Sequence, residues 1–161
     1  MHIASVKALL NPNVMVCGQN MSQTGKGAYT GEISGEQLKD FDVNWILIGH
    51  SERRTLYGET DAMVASKVTQ AQDVGLNAIV CVGETLEQRE ADATNDVLKT
   101  QLEGFKASVK DWSRVVVAYE PVWAIGTGKV ASPEIAQECC EFIRNWLKEN
   151  VSEEVAAATR I

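Results

Sequence analysis

At 161 residues and 45% hydrophobic content, the chain is long enough for one domain with a real core, residues 1–161. No apolar run approaches the roughly 18 to 20 residues that span a bilayer, and the N-terminus lacks the basic-then-apolar layout of a secretory signal, so a cytoplasmic chain with no membrane role is expected. A formal net charge of −7 argues against nucleic acid as the partner, and four cysteines without CxxC or Cys/His spacing argue against a structural metal or a disulfide framework.

Ile3, Val6 and Leu10 form a helical stripe that stops at Asn11-Pro12-Asn13, so the chain opens on a helix with no strand ahead of it. Four runs then read as strands: Val14 to Gln19, Trp45 to Ile48, Asn77 to Val82 and Arg114 to Tyr119. They are mostly apolar without polar alternation, the pattern of parallel strands covered on both faces. Between and after them come three helical stripes. Val64, Val68 and Ala71 make the first, Leu98, Leu102, Phe105 and Val109 the second, and Ile135, Cys139, Phe142, Ile143 and Trp146 the third. Gly75 stands where a helix C-terminal cap is wanted, and Ser132-Pro133 reads as an N-cap followed by proline at the first helical position. The last long helix runs out near Asn150, which leaves Val151 to Ile161 too short for another strand and helix. The strand–helix recurrence is that of βαβ units, and an α/β domain of four parallel units follows.

Polar residues collect where each strand should end, the edge on which parallel α/β architectures build sites. The first strand runs into Gln19-Asn20 and a Gly-, Thr- and Ser-rich loop, Met21 to Ser34. The second ends in Gly49-His50-Ser51-Glu52-Arg53-Arg54, the third in Gly83-Glu84-Thr85, the fourth in Glu120. Each has an ordinary reading: a loop histidine caps or faces water, and a loop carboxylate is solvated. Glu120, however, closes a Val-rich run and precedes Pro121, a poor place to be merely soluble. Behind it, Pro121 to Lys129 combines a stiff proline start, two bulky apolar residues that can bury, and two glycines that can hinge or bring N–H groups against an anion. That is the layout of a base under a closing lid. His50 and Glu120 on nonadjacent strand ends suit proton transfer at carbon.

Other motifs weigh less. His50-x-Glu52 opens a zinc deaminase signature, but its Pro-Cys-x-x-Cys partner is absent. Gly126-Thr127-Gly128-Lys129-Val130-Ala131 fits G-x-G-x-x-A, yet Pro121 to Ile125 separates it from its strand, so nucleotide binding is a weak alternative. Arg53-Arg54 reads as ion-pair partners rather than phosphate hooks, and Cys81, inside an apolar strand, as a small core residue.

Four blocks together carry a resemblance: AYEPVWAIGTGK from Ala118 to Lys129, WILIGHSERR from Trp45 to Arg54, CVGETLEQRE from Cys81 to Glu90, and GAYTGEIS from Gly27 to Ser34. They resemble the triosephosphate isomerase family across essentially the whole chain, from a helix after the family's second strand to Arg160-Ile161 at the start of its seventh. The resemblance implies a partial TIM (β/α)8 barrel. It also implies interconversion of dihydroxyacetone phosphate and glyceraldehyde 3-phosphate through an enediol(ate), without metal or organic cofactor. Glu120 matches the base and His50 the neutral imidazole that polarises substrate oxygens. Glu52 matches a second carboxylate beside the site, Ser51 a supporting residue close to the base, and Gly126 a lid N–H that meets the phosphate. Pro121, Val122, Trp123, Ala124, Ile125, Thr127, Gly128 and Lys129 match the rest of the closing loop, which excludes water and retains the intermediate. Thr30 matches the tip of a loop that enters a second subunit, so a homo-oligomer is implied.

The departures are of one kind. The family's Asn-x-Lys on its first strand has no match before Val14, and the strands carrying its Ser and Gly-Gly phosphate donors lie beyond Ile161. Four strands cannot close such a barrel, and the strands at Val14 and Val115 would each expose an apolar edge. The alternative is therefore a weak or inactive barrel-derived protein that oligomerises through those edges.

Overall fold

A computed structural model describes residues 2–161. Its sheet has four parallel strands in the order β1 (Cys17–Gly18), β2 (Trp45–Ile48), β3 (Asn77–Val82) and β4 (Val115–Tyr119). The helices are α1 (Ile3–Leu9), α2 (Gly35–Asp40), α3 (Ser51–Tyr57), α4 (Asp61–Asp73), α5 (Leu86–Glu90), α6 (Thr94–Lys106), α7 (Pro133–Asn150) and α8 (Glu153–Ala158). Trp45 pairs with Asn77 and Ala78 with Val115, so the carboxyl ends of β2, β3 and β4 finish along one rim. Four parallel strands in this order, with helices between them, form a partial TIM (β/α)8 barrel.

Ile46, Ile48, Ala78, Val80, Val115 and Val117 point to the helix side and are buried. They meet Val64, Val68 and Ala71 of α4, Leu98, Leu102 and Phe105 of α6, and Ile143 and Leu147 of α7 in one core. Complete burial of each of these valine, leucine, isoleucine and phenylalanine side chains stabilises by about 1.5–3 kcal/mol. The helix boundaries follow local chemistry. Gly75, at φ +75°, follows α4; its N–H donates to Gln72 O and that of Leu76 to Ala71 O, the paired bonds of a Schellman stop. Ser132 Oγ accepts from the Ile135 N–H ahead of Pro133.

Several expectations need correction. The first strand is two residues long, not Val14 to Gln19, because Val14 and Met15 are exposed and only Cys17 and Gly18 find partners on β2. The opposite face of the sheet, with Trp45, Leu47, Ile79, Val116 and Ala118, is only partly covered among the described residues, so burial on both faces does not hold here. Val109 lies beyond α6 and packs on the core from the following loop. The segment after Asn150 does hold a helix, α8, capped by Ser152 Oγ. After it Arg160 pairs in parallel with Val116, and Val117 N–H donates to Arg160 O at 3.0 Å. Among the described residues no helix is long and apolar enough to cross a membrane.

A polar knot ties the early part of the fold together. Glu59 is 4% exposed and Lys67 3%. Glu59 Oε1 accepts from both Arg53 Nε and Lys67 Nζ, and Lys67 also donates to Asn20 Oδ1 at 2.6 Å. Burial alone would raise the Glu59 pKa, but the hydrogen bonds and charges of Lys67 and Arg53 outweigh it and hold the carboxyl below its ordinary range.

Candidate active site

β2 ends at Gly49, whose φ of +73° turns the chain into α3. Arg54 holds that turn from within α3, donating from Nε to Gly49 O at 2.9 Å and from Nη1 to Asp61 Oδ1 at 2.6 Å. Both arginines of the Arg53-Arg54 pair are thus ion-pair partners. The turn makes His50 the N-cap of α3, with Nδ1 accepting the Glu52 N–H at 3.2 Å. A nitrogen that accepts a hydrogen bond carries no proton, so Nε2 is the imidazole nitrogen left to donate. That atom lies 2.9 Å from Glu120 Oε1.

Glu120 follows β4 directly, and its N–H continues the ladder by donating to Val82 O at 2.8 Å. The side chain is 14% exposed. Ser51 N–H donates to Oε2 at 3.0 Å and Ser51 Oγ to Oε1 at 3.2 Å. Two donors from Ser51 hold the carboxylate, and His50 Nε2 stands beside Oε1. A cavity of about 280 Å³ opens beside it, between Ser51, Cys81, Gly83 and Val122. The Cys81 thiol is 1% exposed; burial first, then the Glu120 charge, pushes its pKa up, which disfavours the thiolate a nucleophile needs.

The Glu52 side chain does not join this group. It is 72% exposed, with Oε2 3.8 Å from His50 Nδ1, and Glu52 reaches the imidazole through its backbone N–H. Thr30 stands on an exposed turn of the Met21-to-Ser34 segment, next to Gly31 at φ +88°.

Behind Glu120 lies a cluster of which the strand-end reading named Gly83, Glu84 and Thr85 without their contacts. Glu84, fully buried after β3, accepts from Tyr119 Oη at 3.0 and 3.1 Å, from Arg89 Nη1 at 3.1 Å and from Thr94 Oγ1 at 3.3 Å. Burial, then the contact with Cys139 and the Glu84 charge, raises the Tyr119 pKa, so its hydroxyl remains a donor. The position of Glu84 directly after an apolar strand was the available signal. Gly83 had none: a Cβ there would sit 1.8 Å from Glu120 O. Gln101 brackets the same residue, accepting from its N–H at 2.8 Å and donating to its carbonyl at 3.2 Å. Gly83→Ala is therefore expected to force the Glu120 backbone away from β3. The predicted outcome is a folded but less stable chain in which the Ser51 and Glu120 amide resonances shift together; an unchanged spectrum would contradict the close approach.

The segment from Pro121 to Lys129 folds over this edge. Val122 to Ala124 form a 3-10 turn that buries Trp123 to 6% exposure, while Ile125 stays 52% exposed. Thr127 Oγ1 donates to Trp123 O at 2.8 Å and accepts from Lys129 N–H at 3.2 Å. Gly126 and Gly128 have φ of +70° and +76° with open space where a Cβ would point, so backbone conformation is what requires glycine at both positions.

Comparison with known proteins matches residues 1–161 to a family model described as "Triosephosphate isomerase". The cytosolic triosephosphate isomerase of Oryza sativa subsp. japonica is 53% identical over 156 residues, covering 97% of this chain and 62% of that protein. The chloroplastic triosephosphate isomerase of Arabidopsis thaliana is 55% identical over 161 residues, covering 99% and 51%. That of Fragaria ananassa is 52% identical, covering 100% and 51%. The chain spans about half the length of these curated relatives.

Proposed function

Because the chain belongs to the triosephosphate isomerase family, we propose that it contributes the base, the electrophile and the lid to the interconversion of dihydroxyacetone phosphate and glyceraldehyde 3-phosphate. The observation that carries this reading is the His50 Nε2 to Glu120 Oε1 distance of 2.9 Å, which puts the imidazole and the carboxylate side by side at the strand-end cavity. Glu120 removes a proton from C1 of dihydroxyacetone phosphate. The C–H electrons form the C1–C2 double bond, and the carbonyl π electrons move to oxygen, where the His50 Nε2–H stabilises the developing charge. Return of the Glu120 proton to C2, with the C1–C2 π electrons, and transfer of the O1 proton to the charged O2 complete the aldehyde and its C2 hydroxyl. For this, the carboxylate must turn from Ser51 toward the substrate, so Ser51 parks the base between turnovers.

In the same reading the Gly126 N–H meets the phosphate and Pro121 to Lys129 close to exclude water. Glu52 stands at the rim, and Thr30 enters a second subunit of a homo-oligomer. The reaction needs no cofactor. A cytoplasmic location is proposed with it; the relatives' names include both cytosolic and chloroplastic proteins.

The lysine and the phosphate donors that the resemblance assigns to other strands are not among these 161 residues. Each such electrostatic group is worth about 10²–10³ in rate, so turnover far below that of a complete site is expected. A coupled assay of glyceraldehyde 3-phosphate formation tests the reading. Formation above the buffer rate supports it, and a rate equal to buffer at high enzyme concentration overturns it.

A further inference from the structure

We propose that Arg89 is a positioning residue that sets the resting place of the lid, by latching Trp123 to the end of α5. This rests on the reading of Pro121 to Lys129 as a lid. The Arg89 guanidinium carbon lies 4.5 Å from the centre of the Trp123 ring, within the range of a cation–π contact. The same guanidinium donates to Glu84, which is fully buried and held in turn by Tyr119 and Thr94. Arg89 is therefore fixed before it meets the ring, and little side-chain freedom is lost in the contact.

Two further observations support a latch over simple packing. The Trp123 indole is buried beside Tyr119, whose hydroxyl donates to the same Glu84 that holds Arg89, so the ring meets two groups anchored on one carboxylate. Next to Arg89, Glu90 faces Lys129 at 3.4 Å, so two consecutive residues of α5 hold the two ends of the lid. The Glu90 pair is exposed and contributes little, whereas the Arg89 contact is half-buried and dominates.

The test labels the chain with 5-fluorotryptophan, assigns the Trp123 resonance by its loss in Trp123→Phe, and follows its solvent-isotope shift. Arg89→Gln is expected to raise the population of solvent-exposed Trp123 about tenfold, the effect of losing one partly desolvated cation–π contact. Arg89→Lys, which keeps a cation, is expected to restore most of the resting state. A Trp123 resonance unmoved in Arg89→Gln overturns the proposal. Should Arg89→Gln fail to fold because Glu84 is left unpaired, Glu84→Gln/Arg89→Gln compared with Glu84→Gln alone decides in the same way. The fluorine signal needs no turnover: an inactive chain with a released Trp123 sinks the proposed function and sustains the latch, and an active chain with an unmoved Trp123 does the reverse.

Discussion

Glu120→Gln is expected to lower kcat for triose phosphate interconversion about 10²–10⁴-fold, the range for removing a positioned general base. The argument rests on isosterism. Glutamine keeps an oxygen that can accept from Ser51 N–H or from His50 Nε2, so the end of β4 and the start of α3 should hold their places. What is lost is the charged acceptor for a carbon-bound proton. Substrate affinity should change much less than kcat, because the base acts mainly in the transition state. The same variant serves as the control for any contaminating isomerase, since host enzyme would survive the substitution. Equal rates in parent and variant would remove Glu120 from the mechanism.

The second large effect lies in stability. Lys67→Met leaves Glu59 buried with only Arg53 as cation, and its Oε2 already has no partner. Removing one member of a buried ion pair costs about 3–5 kcal/mol, a large share of the stability of an ordinary domain. Urea unfolding at neutral pH measures it, and a loss below about 1 kcal/mol would contradict the argument. The pH dependence follows from the depressed Glu59 pKa. In the parent this group contributes stability that is present above its unfolded value near 4.5 and is lost as pH falls through the lower folded value. In Lys67→Met the larger depressing partner is gone, the folded pKa rises, and the gap between parent and variant narrows as pH falls. Glu59→Gln/Lys67→Met, with no buried charge left unpaired by Lys67, should recover much of the loss.

Much of the sheet could be read directly from residue order. β2 and β3 begin and end where their apolar runs do, because each run stops at a residue turning out of the sheet, Gly49 and Gly83. β1 was overextended for a physical reason: Val14 and Met15 are as apolar as a strand requires, and only the position of a partner decides whether they pair. The short helices α2, α3, α5 and α8 have too few turns for a periodic stripe. For α2 and α5 the usable signal was instead the capping box, Ser34 with Gln37 and Thr85 with Gln88. At the site, the meeting of His50, Ser51 and Glu120 was legible because parallel strands bring their carboxyl ends to one rim. The roles of Gly83, Arg89 and Tyr119 were not, since each depends on an approach between segments whose distance no spacing encodes.

The strand order carries a consequence for how the chain is made. Among the described residues β2, β3 and β4 each pair with the strand immediately before them in sequence, so these contacts close over a few tens of residues. None of these three pairings waits for a distant partner, and loop-closure entropy stays small at each addition. During synthesis, β2 can dock on β1, β3 on β2 and β4 on β3 as each leaves the ribosome, with α4 and α6 covering the new pair behind it. The growing edge is always the newest strand, and Arg160 against Val116 is the next step of the same progression.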